Sequence, residues 1–227
     1  MRAILKKELK SYFLSPIGYV VMGIFLLCFS LFFYITVFSE GIVDLGVLYY
    51  NTALFGLIVI VPILTMRMFA EERKTGTEQL LFTSPVSIFK IVMGKLLAAL
   101  FVILVTLIMS LMFWVIVSFF GKVNVASTLV QILGFVLFSL AALSIGMFAS
   151  SITENQIIAG IITIAFLIFS LFIGNISTMF TSFTLIDLYT PFAYGIIALE
   201  NTISLLLFAV VFISLTIIVL ERRKLVK

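Results

Sequence analysis

The chain has 227 residues, of which 63% are hydrophobic and 11% charged. A soluble domain carries about half apolar and about a quarter charged residues, so this composition excludes a water-facing surface, and the apolar runs leave no room for a separate soluble domain. The formal charge of +4 sits in clusters between long apolar stretches. That pattern reads as the flanks of membrane helices and argues against a nucleic-acid-binding face.

Residues 1–15 form the first expected element. On a helical wheel Ile4, Leu5, Leu9, Tyr12 and Phe13 share one face, and Lys6, Lys7 and Lys10 lie opposite. This is the pattern of an amphipathic helix lying in the membrane interface. It serves either as a basic topogenic anchor or as a surface helix that transmits motion from a partner. Pro16 breaks it from the first long apolar run. That run is too long for a signal-peptide core and ends without an A-x-A-like cleavage site, so it reads as an uncleaved membrane helix.

About 20 apolar residues in a helix cross the hydrocarbon core. Six runs qualify: 17–38, 47–66, 91–120, 129–150, 157–174 and 203–220. The third is longer than needed and is expected to extend into the cytosol. Apart from Lys95, none contains Asp, Glu, Lys or Arg. With six spans, thirteen of the fourteen Lys and Arg residues fall on the side of both termini, and Lys122 alone falls opposite. The positive-inside bias therefore puts both termini and the Arg67–Lys95 loop in the cytoplasm. In the fourth run Ala142, Gly146 and Ser150 recur every four positions, which permits close helix approach, either at a dimer face or within one chain. Residues 175–201, on the outer side, mix Asp187, Pro191 and Gly195 with Phe180, Phe183, Leu185, Ile186, Leu188 and Phe192. A segment this apolar is expected to re-enter the outer leaflet as short helices, as a gate or as packing.

Residues 67–90 are the most charged loop. Six charged residues fall from Arg67 to Glu78. Gly76 allows a turn, and Thr75 and Glu78 have capping-box spacing for a short helix exposing Leu80, Leu81 and Phe82. Ser84 suits a cap and Pro85 a first turn of the next helix. Such an element is either a docking knob for a cytosolic partner or an ordinary solvated loop with a capped turn.

The run Glu71-Glu72-Arg73-Lys74-Thr75-Gly76-Thr77-Glu78-Gln79-Leu80-Leu81, ending in Thr83-Ser84-Pro85-Val86-Ser87, resembles the hallmark of type-2 ABC transporter permeases, in particular the short gliding-motility and copper-processing permease group. Ser150-Ser151-Ile152-Thr153-Glu154-Asn155-Gln156 is similar to that group's turn between spans four and five, as is the ending Leu220-Glu221-Arg222-Arg223. The resemblance covers nearly the whole chain and implies an all-α integral membrane permease, 1–227, as a single domain. It implies that 67–90 is a cytoplasmic coupling region, in which Glu71, Glu72, Arg73, Lys74, Gly76, Thr77, Glu78 and Leu80 together dock an ATPase. Glu154 and Asn155 would make a smaller cytoplasmic contact. It implies an exporter of a prokaryotic inner membrane, working by alternating access, with a second copy or a related permease as partner.

The chain has no G-x-x-x-x-G-K-[ST] phosphate loop, so ATP and Mg are expected on separate ATPase subunits. It also has no His, the commonest general base and transition-metal ligand. No catalytic residue and no metal site is expected here. Cys28 is the single cysteine and forms no intramolecular disulfide. Two other classes stay open: an ion-coupled secondary transporter, weakened by the lack of a mid-membrane acid or base, and a non-transporting membrane scaffold.

Overall fold

A computed structural model describes residues 2–39, 44–83, 85–119, 124–173 and 184–226. Ser84, Lys122 and residues 174–183, with Phe180 and Phe183, lie outside the described residues, as does the side chain of Phe82. The described secondary structure is helical, as the composition requires of backbone that must satisfy its own hydrogen bonds in lipid.

Helix α1 (Arg2–Leu14) has the amphipathic arrangement expected. Tyr12 is buried, Ile4, Leu5, Leu9 and Phe13 are half-buried, and Lys6, Lys7 and Lys10 are exposed. The chain turns at Ser15 into α2 (Pro16–Phe33), with Pro16 in its first turn, where a missing N–H costs nothing. A π-helical stretch, Tyr34–Ser39, continues it. The second span is broken in three: α3 (Leu45–Asn51), a π-helical insert Thr52–Gly56, and α4 (Leu57–Thr65). Next come two short helices, α5 (Ala70–Lys74) and α6 (Glu78–Thr83). The rest of the chain forms α7 (Ile88–Ser118), α8 (Val125–Ile152), α9 (Gln156–Phe172), α10 (Leu185–Ala193) and α11 (Leu199–Val226).

Among the described residues five helical runs are long and apolar enough to span a bilayer, and Gln156–Leu171 is a shorter apolar helix in the place of the fifth expected span. At 1.5 Å per residue the 31-residue α7 is about 46 Å long. It overreaches a hydrocarbon core of about 30 Å, in line with the expected extension. The start of α7 differs from expectation. Ser87 occupies the N-cap position and Ile88 opens the helix, so Pro85 lies ahead of the first turn.

Helix α8 is the most buried of the spans and packs on α4, α7, α9, α10 and α11. Its small residues explain how. Ala142, Gly146 and Ser150 are all buried inside the chain, and a Cβ on Gly146 would run into the Thr65 hydroxyl and lie 2.9 Å from Thr163 Cγ2. The small stripe therefore seats α8 against α4 and α9 within one chain. On the other half of the bundle, Phe25, Phe29, Tyr49, Phe135, Phe138 and Tyr189 form an aromatic core between α2, α3, α8 and α10. Phe25 and Phe135 meet edge-to-face at 5.7 Å, a favoured quadrupole arrangement.

In the described part of segment 175–201, residues 185–193 form helix α10 rather than free loop. Leu185, Tyr189 and Phe192 are fully buried, and Asp187 faces outward. Gln131 Nε2 donates to Ala193 O at 3.1 Å, and Asn201 Nδ2 donates to Leu188 O at 3.0 Å. Gly195 then turns the chain at φ +76°, a region that favours glycine.

Candidate functional site

Five segments distant in sequence meet at one end of the bundle: α1, the α5–α6 segment, the start of α7, the turn after α8 and the tail of α11. Ion pairs join them. Lys95 Nζ, from the start of α7, lies 2.9 Å from Glu8 Oε1 and 2.9 Å from Glu72 Oε1. Arg73 pairs with Glu154 at 2.6 Å. Arg223 Nη1 reaches Glu78 Oε1 at 3.4 Å. Arg73 and Arg223 also both donate to the Ile152 carbonyl, at 3.1 and 3.2 Å.

A five-residue helix has no stability of its own, so α5 depends on its surroundings. Its sequence helps: Glu71 and Glu72 stand in the first turn and Arg73 and Lys74 in the last, complementing the helix dipole. Ser150, from α8, supplies the cap. Its hydroxyl accepts from Phe69 N at 3.1 Å and Ala70 N at 3.2 Å, and donates to Met66 O at 3.3 Å. Arg67 braces the entry by pairing with Glu71 at 2.8 Å, one turn on. We expect Ser150→Ala to leave these backbone groups without their partner at a buried site, costing about 1–3 kcal/mol. Thermal unfolding in detergent measures this, and faster backbone hydrogen exchange at Phe69 and Ala70 localises it.

Tyr12 fastens α1 to the end of α4, donating to Leu64 O at 3.0 Å. Burial, then the charge of Glu8, holds its phenol above the ordinary value. The group therefore stays protonated and remains a donor.

The turn between α5 and α6 departs from the expected capping box. Thr75 is the C-cap of α5, and its hydroxyl turns back to Glu71 O at 2.9 Å. Glu78 meanwhile faces inward to Arg223. The reversal runs through Gly76, whose φ of +74° a side chain would resist.

The expected docking residues divide into two sets. Glu72 and Glu78 are inward and ion-paired, their side chains 13% and 4% exposed. Glu71 and Arg73 are half-buried and also paired. Lys74, Gly76, Thr77 and Leu80 form the outward surface, with Leu80 71% exposed. Glu154 joins the site through Arg73. Asn155 is used locally, its Oδ1 accepting from Ile157 N at 2.9 Å to cap α9. Sequence reading passed over Glu8, Lys95 and Arg223 as parts of the site. Signals pointed to two of them: Lys95 is the single charge within the expected spans, and Glu8 is the single acid in a basic helix.

The arrangement is a platform held from several sides. Its hidden side is tied to α1, α7, α8 and α11, and its outer side offers an apolar residue flanked by polar and basic ones. A family model described as ABC-2 family transporter protein matches residues 39–220, which include this platform and every helix from α3 to most of α11. No curated protein shows a significant match to the chain. The match does not distinguish the gliding-motility and copper-processing group within the family. With its apolar spanning helices, the chain belongs to the ABC-2 family and is a multi-pass membrane permease subunit of an ABC transporter.

Proposed function

We propose that the α5–α6 platform docks a separate ABC ATPase and that the chain forms a transport pathway worked by alternating access. One observation carries the reading. Leu80 stands 71% exposed on a segment whose other face is anchored to the spanning helices. A short element that is both rigidly held and apolar at its tip suits a partner's cleft: the apolar side chain supplies affinity and the polar neighbours fix register. ATP and Mg belong to the partner, and the higher ATP affinity of its closed state drives the shift. The Lys and Arg bias supports a cytoplasmic position for both termini and the platform, and the family resemblance supports a prokaryotic inner membrane. A second copy or a related permease completes the export pathway.

The expected docking set narrows accordingly. Lys74, Gly76, Thr77 and Leu80 are the contact residues of this proposal. Glu71, Glu72, Arg73 and Glu78 hold the platform in place, and Glu154 braces it through Arg73.

Leu80→Asp tests the reading. Removing a Leu side chain from a buried contact costs about 1.5–3 kcal/mol, roughly a 10- to 100-fold rise in Kd. We expect the variant to fold normally, with an unchanged unfolding midpoint, and to lose most of the ATPase that purifies with the wild type. Undiminished recovery of the ATPase would remove Leu80 from the interface.

A further inference from the structure

Lys95 is the buried ionic group that joins three elements at once. Its side chain is 3% exposed and its ammonium lies 2.9 Å from both Glu8 on α1 and Glu72 on α5. The Phe69 ring lies 5.3 Å from the same nitrogen. The other cation nearby is Lys7, 3.5 Å from Glu72 but 66% exposed. Two carboxylates, each 13% exposed, thus depend on one buried ammonium. Glu72 Oε2 is buried without a hydrogen-bond partner among the described residues.

Well-packed apolar residues in place of all three charged groups would give a seam about as stable, because the desolvation of buried ions offsets their attraction. What an ion cluster adds is a fixed register between the elements it joins. An ionisable residue inside a membrane helix, with its partners at hand, is a functional position by default. Lys95 also sits where α7 runs close beside α1, since a Cβ on Gly94 would lie 3.0 Å from Ile4 Cγ2.

We infer that Lys95 is a positioning residue that clamps α1 to α5 against α7, so that displacement of the platform carries the interfacial helix with it. The inference rests on the ATPase-docking reading. It gives α1 a role in transmission, beyond that of a basic anchor. Glu72 is the α5 arm of the clamp and Glu8 the α1 arm. Severing either arm leaves the exposed docking surface of Lys74, Thr77 and Leu80 in place and leaves α1 tied to α5 by at most the exposed Lys7–Glu72 pair.

Spin-label distances in the assembled complex test the clamp. In a Cys28→Ser background, labels enter at Lys10 on α1, Thr75 at the end of α5 and Val125 at the far end of α8, all exposed positions. Distances are read without nucleotide and with a non-hydrolysable ATP analogue, in wild type and in Glu72→Gln and Glu8→Gln. In wild type we expect α1 and α5 to shift together relative to Val125, with an unchanged Lys10–Thr75 distance. In either variant the ATPase should still co-purify and α5 should still shift, while the shift of α1 is lost. A merely structural cluster would lower the unfolding temperature and leave the coordinated shift intact. An α1 that stays still in wild type while α5 moves, or that keeps moving in the variants, overturns the clamp alone. If α5 itself ignores nucleotide, or no ATPase assembles, both the clamp and the docking reading fall.

Discussion

Lys95→Met is expected to cost the fold about 3–5 kcal/mol, the loss seen when one partner is removed from a buried ion pair. Met keeps the aliphatic packing beside Phe69 but leaves Glu72 with the exposed Lys7 and Glu8 without its ion pair. The size of the effect comes from burial. The pair between Arg73 and Glu154 is shorter, yet Glu154 is 62% exposed, and Glu154→Ala should cost no more than about 1 kcal/mol. Thermal unfolding in detergent, followed with a thiol-reactive dye on Cys28, ranks the two. Equal midpoints for both variants would mean that the Lys95 cluster is not a buried network. Glu72→Gln and Glu8→Gln keep the shape of their side chains and should lie between the two.

Gly146→Leu is the second large effect. A Cβ alone at this position meets the Thr65 hydroxyl and Thr163, both fully buried. A whole Leu must push α8 away from α4 and α9, so overpacking should reach about 3 kcal/mol or more. The displacement would also carry Ser150, one turn on, away from the N–H groups of Phe69 and Ala70 that it caps. Loss of folded protein, with weaker ATPase recovery in whatever remains, is the expected outcome in a fluorescence-detected size-exclusion profile. A well-folded Gly146→Leu protein would show that the α4–α8–α9 contact is loose enough to absorb a large side chain. The neighbouring Gly160, whose Cβ would lie 3.9 Å from Met66, should tolerate Ala.

What the sequence revealed depended on whether the signal was local. Spans are legible because 18 or more apolar residues announce themselves without partners, and α1 because its Lys residues and apolar residues separate at a helical period. The charged stretch after α4 was legible as carrying one short helix, from the Gly76 turn and the Thr75–Glu78 spacing; α6 stands there, but α5 ahead of it was not expected. Pairings across 87 or 145 residues, as in Glu8–Lys95 and Glu78–Arg223, have no local trace. Glu78 illustrates the consequence. Its spacing from Thr75 fits a capping box, but Arg223, arriving from the far end of the chain, draws its carboxylate inward. Ser150 likewise read as a small packing residue, because its capping role depends on where α5 comes to rest. The π-helical stretches at 34–39 and 52–56 were also hidden, since one extra residue in a turn of uniformly apolar helix changes no pattern that hydropathy can report.

The central claim is that the α5–α6 platform is where a separate ATPase binds. A photo-crosslinking residue at Leu80, activated in native membranes and analysed by mass spectrometry of the adduct, tests it most directly. The account predicts a crosslink to a protein carrying a phosphate loop, absent when the same residue is placed at Val125 on the far end of α8. Contradiction would be an ATPase captured from other positions but never from Leu80, or a Leu80 adduct consisting of some other protein without a nucleotide-binding motif.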